Sequence, residues 1–104
     1  IIGAPARVIV QPAESNYFHL LGVQPALGRL LQPAADEKAA AAREAVLSFA
    51  AWKSRFGGEA AAVGRSITLD GAAYTVVGVA PASFNLDPRV QLWLPLESWR
   101  RHIF

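Results

Sequence analysis

The chain reads as a small α+β module, with a few short strands that include a β-hairpin and with two to three short helices. Three observations predict this. Ser66 to Leu69 and Ala73 to Val79 are strand-like runs joined at Asp70-Gly71, a dipeptide that favours a two-residue hairpin turn. Ahead of them, Trp52-Lys-Ser-Arg-Phe-Gly-Gly closes an amphipathic helical pattern on glycine, the usual residue just past a helix end. Arg7 to Gln11 and Val90 to Leu94 are short apolar runs that read as further strands.

At 104 residues the chain has the size of one domain. Apolar residues make up 53%, but many are alanine, so the core rests on Val, Ile, Leu, five Phe, three Trp and two Tyr. That is enough for one compact core at roughly 25 cal/mol per Å² of buried apolar surface.

The elements follow in order. Arg7 to Gln11, between Pro5 and Pro12, is β-branched and short. Glu14-Ser15-Asn16 offers capping side chains for a helix of two turns at most. In it, Tyr17, Leu20 and Leu21 fall on one face, and Gly22 ends it. Val23 to Pro33 holds two prolines and Gly28, and reads as an ordered loop in which Gly28-Arg29 turns at positive φ.

Asp36 to Phe56 admits two readings. Its alanines and the spacing of Val46, Phe49, Trp52 and Phe56 fit one long helix. The alternative, implied only by the family resemblance set out below, is that Ala45-Val46-Leu47 is a strand and the helix starts after Ser48 as N-cap. We favour the second, since tertiary context overrides propensity. Glu59 to Val63 forms one more helical turn, and Gly78 inside the second hairpin arm marks a bulge or a close backbone approach. Glu97 to Arg101 begins a last helix.

Little here points to chemistry. His19 and His102 are far apart and lack second ligands at metal spacing, whereas zinc needs three or four. Cysteine is absent. None of Ser15, Ser48, Ser54, Ser66, Ser83 and Ser98 sits in a Gly-x-Ser-x-Gly elbow, and Ser15 and Ser48 are better explained as caps. Asp36-Glu37 lies in a polar, alanine-rich stretch and reads as solvated surface. Gly57-Gly58 and Gly64 follow a helix and lack Gly-Lys-Ser/Thr, so they are not a phosphate loop. The net charge of +2 is scattered apart from Arg100-Arg101, unlike the concentrated basic face of a nucleic-acid binder. Trp52 and Phe56 read as core, Trp93 as core or a partly exposed anchor, and Trp99 as packing near the chain end. No catalytic, cofactor-binding or metal-ligating residue is assigned, and no cofactor is expected.

The chain has no methionine and begins Ile1-Ile2-Gly3, like the interior of a longer protein. No uncharged apolar run approaches the ~20 residues that cross a bilayer.

One set of motifs carries a resemblance. Ser15-Asn-Tyr-Phe-His-Leu-Leu-Gly-Val-Gln-Pro-Ala-Leu-Gly-Arg is similar to the opening signature of MacB-like periplasmic core domains. The likeness continues through Val46-Leu-Ser, Trp52-Lys-Ser-Arg-Phe-Gly-Gly, Val63-Gly-Arg-Ser-Ile-Thr-Leu-Asp-Gly, Tyr74-Thr-Val-Val-Gly-Val-Ala-Pro and Leu92-Trp-Leu-Pro-Leu. The ordered set covers residues 7 to 97.

The resemblance implies a single extracytoplasmic module, residues 1–104, within a larger ABC transporter permease whose membrane region is FtsX-like. It implies a site between the first and second transmembrane helices, on the periplasmic or extracellular side of the inner membrane. The implied partners are a cytoplasmic ATPase domain or subunit, a periplasmic adaptor and a second permease copy, with no nucleic acid. The implied work is to relay conformational change, without catalysis, in an efflux or lipoprotein-release-like system. The rival expectation is an extracytoplasmic module that binds a peptide, lipid or hydrophobic small molecule, with a deep apolar pocket lined by Trp93, Trp99 or Tyr74.

Overall fold

The computed structural model describes residues 9–14, 16–32, 42–69, 71–84 and 89–103, with the backbone alone over 100–103. The strands are β1 (Val10–Ala13), β2 (Leu27–Gly28), β3 (Glu44–Leu47), β4 (Ser66–Leu69), β5 (Ala72–Val79) and β6 (Leu92–Pro95). The helices are α1 (Tyr17–Leu21), α2 (Phe49–Phe56) and α3 (Leu96–Ile103), with a 3₁₀ turn at Ala60–Ala62. All six strands join one mixed sheet in the order β1-β6-β3-β5-β2, with β4 also on β5. The expected α+β class stands.

The sheet is built around β5. Its first half pairs with β4 as the expected hairpin, Ser66 opposite Thr75 and Leu69 opposite Ala72, leaving a two-residue turn. Its second half pairs with β2, Leu27 opposite Val79 and Gly28 opposite Gly78. On the other side β3 runs parallel to both halves, and the register shifts between Ala45 and Val46. One residue of β5, Val77, is therefore extra, and such a bulge reverses which face the following residues meet. Tyr74 and Val76 enter one core, Val77 borders the other, and Val79 returns to the first.

Both faces of the sheet are covered, so β3 and β6 are apolar and buried almost throughout. One core contains Leu47, Phe56, Ile67, Tyr74, Val79, Leu92 and Leu94, with Phe49, Trp52 and Trp99 packed against it. The opposite core contains Phe18, Leu30, Leu31, Val46, Val90 and Trp93, with Tyr17 and Phe84 against it. Helices α2 and α3 thus serve one face, and α1 serves the other.

Of the two readings of residues 36–56, the strand followed by a helix is the one observed where the structure describes the chain. Ser48 lies at extended φ and ψ, and its side chain accepts a hydrogen bond from the Ala51 N–H at 3.0 Å. This N-cap starts α2 directly after β3. Gly57, at φ 65°, ends it.

Three expectations need correction. The first strand lies at Val10–Ala13, not Arg7 to Gln11, and Arg7 and Val8 fall outside the described residues. It runs through Pro12, which is possible because β1 is an edge strand. The Leu92 N–H donates to the Ile9 carbonyl, and alternation along the ladder turns the Pro12 nitrogen to the open edge, where no N–H is needed. The Val23 to Pro33 loop contains strand β2. The last strand is Leu92–Pro95, displaced from Val90 to Leu94, and α3 begins at Leu96.

Candidate functional site

Among the described residues, the side chains weighed and set aside as candidates for chemistry do not assemble into a reaction centre. His19 is exposed on α1, and His102 lies in α3, its side chain outside the described residues. Among the described residues no three His, Cys, Asp or Glu side chains come together to hold a metal. Ser48 is the α2 cap, and the buried Ser98 hydroxyl donates to the Pro95 carbonyl at 2.8 Å. Ser54, Ser66 and Ser83 are exposed. Ser15, Asp36 and Glu37 lie outside the described residues.

The three aromatics named for a deep pocket do not line one. Tyr74 is fully buried in the core under α2, while Trp93 is buried in the opposite core. The sheet separates them. Trp99 packs from α3 onto the Tyr74 side. Trp93 instead belongs to an aromatic cluster, its ring 5.5 Å from Phe18 and 5.4 Å from Phe84 by centroids. The Tyr74 hydroxyl and the Trp93 indole N–H are buried and find no hydrogen-bond partner among the described residues.

What the fold does present is a surface around α1. Sequence spacing grouped Tyr17, Leu20 and Leu21, but Phe18 is the residue that inserts, at 1% exposure. Leu20 and Leu21 are left 73% and 50% exposed. The physical reason is that so short a helix is oriented by its best anchor. Phe18 meets Tyr17, Phe84 and Trp93 edge-on at 5.2 to 5.5 Å, contacts worth about 0.5–1.5 kcal/mol per pair beyond burial. No spacing rule within α1 could have found this, because two of those partners come from distant segments.

Two open hollows flank the helix and share Val23 and Gln24. One, about 410 Å³, is bordered by Phe18, His19, Arg29 and Leu30; the other, about 380 Å³, by Gly22, Pro81, Ser83 and Phe84. Between them passes a strap, residues 24–29, that ties α1 to the sheet. The Ala26 N–H donates to the Val79 carbonyl at 2.8 Å, and the Arg29 N–H to the Val77 carbonyl at 2.9 Å. The Arg29 guanidinium pairs with the Glu44 carboxylate at the start of β3. At the crossing, a Cβ on Gly78 would overlap the Arg29 backbone, and one on Gly28 would overlap the Val77 carbonyl. The expected close approach at Gly78 is therefore real, and it comes with the neighbouring bulge.

A model of the MacB-like periplasmic core domain matches residues 2–104. The chain belongs to the MacB-like periplasmic core domain family. This MacB-like module is accordingly a periplasmic core domain, and such core domains are non-catalytic accessory domains. None of the curated proteins matches the chain. Among solved structures, the periplasmic region of MacB from Actinobacillus actinomycetemcomitans superposes with a TM-score of 0.70 at 23% identity. The match covers 90% of this chain and 40% of that one, so the likeness is one of fold over less than half of the larger region. Among the described residues no helix is long and apolar enough to cross a membrane.

The motifs that carry the family likeness serve the architecture of this MacB-like module. Leu27-Gly28-Arg29 forms the strap, Ser48 caps α2, Gly57 ends it, and Gly78 receives the strap. They hold a shape.

Proposed function

We infer that this module is a passive mechanical part of an ABC-type efflux or lipoprotein-release-like permease. It relays conformational change, driven by cytoplasmic ATP hydrolysis, to periplasmic partners or substrate. One observation carries the reading beyond family membership: both faces of a single sheet are filled by packed cores. Close-packed interiors are stiff and transmit displacement, and a stiff body with an exposed contact surface suits a relay. The same packing weighs against the ligand-binding alternative, since Tyr74 and Trp93 are consumed as core on opposite faces.

In this reading residues 1–104 are one module of a longer permease that works as a dimer. It acts with a cytoplasmic ATPase domain or subunit and a periplasmic adaptor. The first test is the coding sequence on both sides of the chain. A transmembrane segment upstream and three downstream are expected; a long protein without them would overturn the relay. The second is replacement of residues 9–103 by a short flexible linker in the full permease. ATP hydrolysis should persist while transport stops, and unchanged transport would refute the role.

A further inference from the structure

A relay needs an element with two arrangements, because coupling between sites requires something whose equilibrium both sites bias. The strap over residues 24–29 has the build for it. Gln24, Pro25, Ala26 and Gly28 are exposed, while Leu27 and Arg29 are half-buried. It is held by the short β2–β5 ladder, the Ala26 and Arg29 backbone bonds, the Arg29–Glu44 ion pair and partial packing of Leu27. Where it crosses β5, Gly28 faces Gly78, so no side chains interlock. Both flanks are firmly anchored by contrast, through Phe18 on one side and Leu30 and Leu31 on the other. A segment with few buried apolar contacts opens at a free energy well below that of global unfolding.

We propose that the strap is an independently opening latch on β5. It lifts and returns while both cores stay packed. When closed, it links the exposed tip of α1, Leu20 and Leu21, to β5 and through β5 to the β4 hairpin. When open, that link is slack and the Val77–Val79 edge of β5 is free. Its biological meaning rests on the relay reading, but the latch is a property of this chain and is tested on it directly.

The experiment is native-state hydrogen exchange, read amide by amide by NMR. Ala26 and Arg29 report the strap. Val76 and Ala80, whose N–H groups donate to the Arg65 and Leu47 carbonyls, report the body. The strap amides should be protected at least roughly 100-fold less than the body amides, through an opening insensitive to low denaturant. Glu44→Gln should speed exchange at Ala26 and Arg29 by about threefold to fivefold, the weight of a half-exposed ion pair, and leave Val76 and Ala80 unchanged. Gly28→Ala should abolish strap protection while the body stays folded, because its Cβ meets the Val77 carbonyl and lies 3.0 Å from the Gly78 Cα.

Equal protection at all four amides would overturn the latch, as would global unfolding of Gly28→Ala. If the latch is seen but the flanking sequence lacks membrane helices, the relay fails and the latch stands. If the helices are there and the four amides exchange together, the latch fails alone.

Discussion

Gly78→Ala tests the central joint of the fold. Gly78 does not occupy the left-handed region, so alanine meets no backbone penalty there. The cost is steric: the new Cβ would overlap the carbonyl carbon, oxygen and nitrogen of Arg29. Neither backbone can give way without breaking the ladder, so the strap must leave. It takes with it the Ala26 and Arg29 backbone hydrogen bonds and the β2–β5 ladder bonding, about three bonds each worth about 1 kcal/mol net. The half-exposed Arg29–Glu44 pair adds at most about 1 kcal/mol, and the partial burial of Leu27 about 1 kcal/mol.

The strap is therefore held by about 3–5 kcal/mol, and that attachment also caps the damage, since detachment relieves the clash. Against a typical domain stability of about 5–15 kcal/mol the variant should still fold. Urea unfolding followed by tryptophan fluorescence should show the midpoint fall by roughly 1–2 M. A loss under about 0.5 kcal/mol would mean that the strap does not sit on Gly78 and would refute the reasoning.

Three other outcomes are expected. Ser48→Ala removes the bond to the Ala51 N–H and should cost about 1 kcal/mol in the same assay, with Ser48→Gly milder. Tyr74→Phe deletes a buried hydroxyl that has no partner; equal or slightly greater stability is expected, and a loss above about 1 kcal/mol would reveal a hydrogen bond to solvent or a neighbour. Pro12→Val restores an N–H on the open edge of β1, so analytical ultracentrifugation should show stronger self-association than in the parent chain, since proline blunts such edges.

Much of the fold was legible because its signals are local. Asp70-Gly71 between two strand-like runs predicts a hairpin through turn geometry alone, and the register from Ser66 to Leu69 agrees. Gly22 and Gly57 were expected to end helices and do so at φ 67° and 65°. Ser48 could be named as a cap only through the family resemblance, since local propensity alone also fits one long helix. The resemblance was legible as well, since the motifs that carry it are the caps, stops and close approaches that this architecture demands.

The sequence by itself determined the class, the hairpin and the helix ends. Tertiary structure alone decided between a long helix and a strand with a helix, because alanine favours helix while burial of Ala45, Val46 and Leu47 between two cores favours a central strand. It alone turned Phe18 inward and Leu20 and Leu21 outward, since Phe84 and Trp93 lie more than 60 residues away in the chain. It alone gave Gly28 its purpose, which is to meet Gly78 across β5. Turns and caps are settled by neighbours within a few residues, whereas the facing of a short helix or a two-residue strand is settled by whichever distant surface buries the most.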